Sequence, residues 1–167
     1  MTVAELIQEL EQEAGSTRRT LERVPEDQLA WKPHEKSPSL GQLALHIATL
    51  PGAITEVALK PTFEAGPRPP RPSAGNRAEL LEAFDKSLAQ AKARLGALDD
   101  SALGVTWKMM NGDQVVMTLP RAAVFRTILL NHWYNHRGQL TVYLRLLGVP
   151  LPAIYGQSAD ETPFVRG

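Results

Sequence analysis

The sequence contains no cysteine. Disulfides are thereby excluded, and so is every thiolate-based metal site, zinc fingers and iron–sulfur clusters included. Neither sign of charge is in excess: 18 lysines and arginines balance 18 aspartates and glutamates. No global field therefore draws the protein to DNA or to an anionic membrane. A stripe of aromatic residues interleaved with basic ones, which would stack single strands, is also missing. There is no uncharged apolar run of about 18 residues, the length a bilayer-spanning helix needs. The N-terminus, Met-Thr-Val-Ala-Glu-Leu, lacks the basic region and apolar run of a signal peptide. Together these absences predict a cytoplasmic protein with no nucleic-acid and no membrane partner. What remains is ordinary for a globular chain, 167 residues with 43% hydrophobic and 22% charged, read as one domain over residues 1–167.

Apolar spacing predicts four helices. Thr2-Val-Ala-Glu5 has capping-box spacing and opens a first helix through Leu6, Leu10, Ala14 and Leu21, which Pro25 ends. A second helix opens on Ser39-Leu-Gly-Gln42 and carries Leu43, His46, Leu50, Ile54 and Val57 on one stripe. Pro51 interrupts it; lacking an N–H for the Ile47 carbonyl, it should kink or break the helix beside His46. Residues 60–75, rich in proline and glycine, read as a loop long enough to cross the molecule, its basic residues solubilising it. Asn76-Arg-Ala-Glu79 opens the third helix with an N-cap and a reciprocal carboxylate. Asn111-Gly112, between two short apolar runs, predicts a hairpin with a type I′ turn. The last helix is expected over Thr118–Gly148 as one unbroken element, with Pro120 in its first turn and Gly148 and Pro150 closing it. The tail, 151–167, holds Ile154 and Tyr155 and is expected to dock back in part.

The residues with chemistry in them are histidines, of which the chain has four. His132 and His136 are four apart, so on a helix their rings project from one face, one turn above the other. Both fall in the apolar stripe of the last helix, and His46 falls in that of the second. A buried imidazole needs partners for its nitrogens. Three on two inward-facing helices predict a metal site of His46, His132 and His136; the bland alternative is three core histidines bonded to protein groups. Tryptophan follows His132 where a zincin has glutamate, and the Glu-x-x-His pairs of di-iron bundles are missing. His34, between prolines in a charged stretch, reads as a solvated loop histidine or a residue at the mouth of the site. Arg137 and Gln139 read as surface residues, with anion recognition as the alternative.

With these residues placed, the sequence resembles the DinB-like family of four-helix metalloproteins. The resemblance is carried by Trp31-Lys-Pro-His-Glu-Lys-Ser leading to Leu40-Gly-Gln-Leu-Ala-Leu-His46, by Asn131-His-Trp-Tyr-Asn-His136-Arg-Gly-Gln-Leu140, and by Pro152-Ala-Ile-Tyr-Gly-Gln-Ser-Ala-Asp-Glu161. It implies an all-α fold, a four-helix bundle of DinB-like type with atypical helix order, and homodimers. It also implies an open divalent-metal site on His46, His132 and His136. Some members transfer low-molecular-weight thiols or isomerise maleylpyruvate with thiol assistance, which implies a small-molecule substrate, a thiol among the candidates. The expected activity is a metal-dependent thiol transferase or a hydrolase; the alternative is a non-catalytic metal-binding or stress-response protein of the same fold. Zinc is the first expectation for the ion, nickel the second, and iron and manganese are compatible. If a general base is needed, the sequence offers Asp160, Glu161 or a distant loop; a metal-activated thiolate needs none.

Overall fold

A computed structural model of the chain describes residues 1–67 and 69–162. Arg68 in the crossover loop and the end of the tail, 163–167, lie outside the described residues. The first helix, α1 (Val3–Leu21), starts on a capping box. The Thr2 hydroxyl accepts from the Glu5 N–H at 3.1 Å, and the Glu5 carboxylate accepts from the Thr2 N–H at 2.7 Å. The second, α2 (Leu40–Leu59), starts the same way on Ser39 and Gln42. By length and composition α2 could cross a membrane. Its apolar residues are spent instead on the interior, where Leu40, Leu43, Ile47 and Leu50 join one core cluster with side chains of every other helix.

Pro51 does not break α2, which continues through it to Leu59. Two side chains from other elements replace the lost helical bonds. The Ile47 carbonyl, which proline leaves without a donor, accepts from the indole N–H of Trp133 at 3.0 Å. The next backbone N–H, of Gly52, donates to the Ser87 hydroxyl at 2.8 Å. An interior proline costs about 3 kcal/mol in an isolated helix; here tertiary partners meet part of that cost.

The stretch read as loop begins with a strand, β1 (Thr62–Glu64), and the described residues between it and α3 (Arg77–Gly96) form no helix or strand. The Asn76 side chain caps α3 as expected, but the Glu79 carboxylate accepts from the Gly75 N–H, not from the N-cap residue. Then β2 (Thr106–Asn111) and β3 (Gln114–Pro120) form the hairpin, and β1 lies parallel to β2 in a sheet of order β1-β2-β3. A parallel pair needs a crossover, and α3 supplies it. The turn lies one residue later than Asn-Gly suggests. A register shift at Met109/Met110 makes Asn111 and Gln114 the closing pair, with Gly112 and Asp113 between them. Only Gly112 has positive φ, +58°, so the type I′ expectation fails; glycine in the first central position is the II′ pattern.

The last helix is not uniformly α. A short α4 (Arg121–Ala123) leads into a π-helical segment, Val124–Asn131, and then α5 (His132–Leu146). Pro120 is the N-cap residue. Gly148, at φ +73°, ends α5 in a Schellman motif: the Val149 N–H reaches the Leu144 carbonyl and the Gly148 N–H that of Arg145, both at 3.0 Å. The fold is therefore mostly helical, four helices with a small three-stranded sheet. The sheet is tied to α2 by the Trp107 indole on the Val57 carbonyl, and α4 by Arg121 on the Ala58 carbonyl.

Candidate metal centre

His46 on α2 meets His132 and His136 on α5. The Nε2 atoms of His132 and His136 are 2.8 Å apart, and those of His46 and His132 are 3.5 Å apart. One ligand atom from each ring lies within 4.8 Å of the other two. All three rings are half-buried. This corrects the expectation that they sit inside the apolar stripe. The innermost positions of α5 are Trp133, Arg137, Leu140 and Leu144. The wider turn of the π-helical segment explains the shift: Phe125, Leu129, Trp133 and Arg137 face inward four residues apart, which moves the histidines to the rim of the core.

The outer ring nitrogens fix which atoms face the centre. His132 Nδ1 lies 3.2 Å from the Ile128 carbonyl, which can only accept, so Nδ1 carries the proton. The backbone N–H of His132 goes to the Leu129 carbonyl. His136 Nδ1 lies 2.8 Å from the side-chain carbonyl oxygen of Gln139 and donates to it. With both Nδ1 atoms donating outward, the neutral rings present Nε2 lone pairs to each other. At 2.8 Å the two lone pairs need a positive charge between them, which a shared proton or a metal ion supplies.

The donor set fits a divalent ion. Bonds of about 2.0–2.1 Å in a tetrahedral site would separate ligand nitrogens by about 3.3 Å. The observed separations of 3.5 and 2.8 Å bracket that value. Burial pushes the His136 imidazole below its usual pKa, the Gln139 hydrogen bond opposes this, and the charge of Arg71 adds to the lowering. The net lowering favours the neutral imidazole, the form that ligates metal. A cavity of about 100 Å³ opens beside His46, lined also by Gln42, Leu45, Thr49, Arg71 and Pro72. Another, of about 530 Å³, is lined by residues such as Glu26, Leu29 and Ala74 and by no histidine, so size does not mark this site.

Other sequence candidates land elsewhere. His34 is an exposed loop residue whose Nδ1 accepts from the Lys36 N–H at 3.2 Å. Asp160 and Glu161 are tied up in ion pairs, Asp160 with Arg145 and Glu161 with Arg19 and Arg23, which removes both from the general-base role. Gln139 is exposed and orients His136. Arg137 is not a surface residue: it is 1% exposed and pairs with buried Glu13 at 2.6 Å. Two contributors were missed by sequence reasoning. Trp133 binds the carbonyl that Pro51 orphans, and its place between the two histidines was the available signal. Arg71 lines the cavity, and a loop arginine surrounded by prolines gives no such signal.

The chain is similar to known proteins in sequence and in fold. The DinB family profile matches residues 1–163. The uncharacterized protein YrdA of Bacillus subtilis (strain 168) is 24% identical over 165 residues, 96% of this chain and 92% of its own. Among solved structures, a DinB-like protein from Bacillus cereus ATCC 10987 superposes with a TM-score of 0.76 at 24% identity, covering 92% of this chain and 98% of its own. The DinB-like protein YjoA of Bacillus subtilis gives a TM-score of 0.68 at 19% identity, with 89% and 95% covered. These structural likenesses establish the fold.

Proposed function

The chain belongs to the DinB family, and on that footing we propose that His46, His132 and His136 hold one divalent metal ion that serves chemistry on a small molecule. The proposed activity is transfer of a low-molecular-weight thiol or hydrolysis. Zinc is the first candidate, with nickel, iron and manganese behind it. The observation that carries the reading is the orientation of the rings: Nδ1 of His132 and of His136 is held outward by a carbonyl oxygen while the Nε2 atoms converge. Three protein ligands leave a coordination position open, the arrangement of catalytic sites. A divalent ion held there supplies Lewis acidity, making a thiol or water easier to deprotonate near neutral pH.

The chain's own residues orient and neutralise. Gln139 and the Ile128 carbonyl fix two tautomers, and Trp133 holds α5 to α2 beside them. The tail carboxylates are spent on arginines, which favours a nucleophile that needs no separate base, as a thiol would be. The same observation supports the second reading, a metal-binding protein without turnover. A small-molecule partner, a second copy of the chain, and no nucleic acid or membrane complete the proposal.

Elemental analysis of the purified protein tests it. About one divalent ion per chain is expected, lost in His132→Ala and in His136→Ala. Undiminished metal in both variants overturns the site. Turnover by the metal-loaded protein, screened with several thiols against panels of electrophiles, separates the enzyme from the non-catalytic reading.

A further inference from the structure

The crossover loop between β1 and α3 brings Arg71 onto the cavity beside His46. The loop is held there by the Gln42 amide, which donates to the Arg71 carbonyl at 3.0 Å while its oxygen takes the Ser39 N–H in the α2 capping box. Gln42 is one turn before His46, so Arg71 is placed by the helix that carries a candidate ligand. Its side chain is half-buried, and among the described residues no carboxylate pairs with it. The cavity does not end there. Gln42 and Arg71 also line an adjoining space of about 450 Å³ whose wall carries Lys32, Lys36 and Glu35. Three cations and one carboxylate thus face a cleft that runs on from His46.

Such an arrangement is electrostatically uphill on its own. Three neutral imidazoles leave a divalent ion's charge uncompensated, and the guanidinium that lines the same cavity as His46 adds to it. An anion between them reverses the sign of the interaction. A guanidinium also matches a carboxylate's planar, two-oxygen face. A loop cation that only improved solubility would point into water or pair with an acid; Arg71 lines the cavity.

We propose that Arg71, with Lys32 and Lys36 behind it, binds a carboxylate on the small molecule that reaches the metal centre, so that the site selects anionic thiols over neutral ones. The proposal rests on the metal reading above. Its test uses the full chain loaded with cobalt(II), whose absorption reports sulfur ligation. Mercaptocarboxylates of increasing chain length are titrated beside mercaptoalcohols of equal length. At the length that spans from metal to guanidinium, the carboxylate should bind at least ~10-fold tighter, the effect of a charge-assisted hydrogen bond. Arg71→Gln should abolish that preference while leaving the cobalt spectrum and mercaptoalcohol affinity unchanged. Arg71→Lys, which keeps the charge and loses the fork, should retain part of it. A cobalt spectrum with equal affinities at every length overturns the proposal and leaves the metal reading standing. So does a preference that survives Arg71→Gln, or loss of cobalt in that variant. No cobalt spectrum in the wild type removes the metal reading and this proposal with it.

Discussion

At position 137 the chain buries a full positive charge one residue after a candidate ligand. The Arg137 guanidinium meets the Glu13 carboxylate at 2.6 Å, the Glu13 carbonyl and the Thr17 hydroxyl at 3.1 Å each, and the Tyr155 phenol. Tyr155 in turn donates to Glu13 at 2.8 Å. Taking both charges out of water is costly, and their attraction with these further bonds offsets the cost only while every member is present. Arg137→Met should therefore strand Glu13 and destabilise the fold by about 3–5 kcal/mol in urea denaturation. The double change Arg137→Met with Glu13→Leu should recover much of that loss. A loss under about 1 kcal/mol in the single variant would show that water reaches Glu13. None of this was legible in the sequence, because the partner lies 124 residues earlier and a lone arginine in a helical pattern reads as solvated. The histidines were legible for the opposite reason: they are few, and the spacing of His132 and His136 puts both on one helix face without tertiary knowledge.

Among the elements, α2 and α5 show how a local defect becomes a register device. Pro51 orphans the Ile47 carbonyl, a consequence visible in the sequence; the indole that takes it, Trp133, was not. Ile47 follows His46 and Trp133 follows His132, so the bond between the inner pair fixes the outer pair face to face. Trp133→Phe keeps the ring and loses the N–H, leaving a buried carbonyl unpaired at a cost of about 1–3 kcal/mol. Metal affinity should fall with it, by roughly 10–100-fold, as when the outer partners of metal ligands are removed. Trp107→Phe is the control. Its indole also donates to an α2 carbonyl, that of Val57, and should cost stability without weakening metal binding. Equal metal affinity in both variants would show that the Trp133 bond does not position the site. The four helices and the hairpin were readable because they follow from local periodicity and turn residues. Strand β1 and the position of the turn were not. The first depends on parallel pairing with β2, about 45 residues on, and the second on the register shift at Met109/Met110.

Over the whole molecule, the core and the candidate site are separable. Buried side chains from α1 to α5 form one apolar cluster, and the histidines stand half-buried at its rim. Chelation should therefore lower the thermal midpoint only by linkage, about 2.7 kcal/mol at a hundredfold excess of metal over its dissociation constant. It should not unfold the chain as it unfolds small zinc domains. Acid should separate the two contributions. The imidazoles must be neutral to bind metal, so the difference between loaded and chelated protein should vanish as pH falls through the histidine range. Lowering the His136 pKa by burial moves that loss to more acidic pH for this ligand. The tail responds later. The Asp160 carboxyl is held below its usual range by Arg145 and the Leu151 N–H, and that of Glu161 by the Ala153 N–H and Arg23. A carboxyl with a depressed folded pKa adds stability that is complete above its unfolded value, about 4, and is lost as pH falls through the folded one. Melts from pH 8 to 3 with and without chelator, followed by limited proteolysis of the tail, should show metal dependence disappearing first and tail cleavage appearing only below about pH 4. An apo protein already unfolded at neutral pH would make the ion part of the core. A tail that resists cleavage to pH 3 would mean that the buried Pro152 and Ala153, not the ion pairs, hold it down.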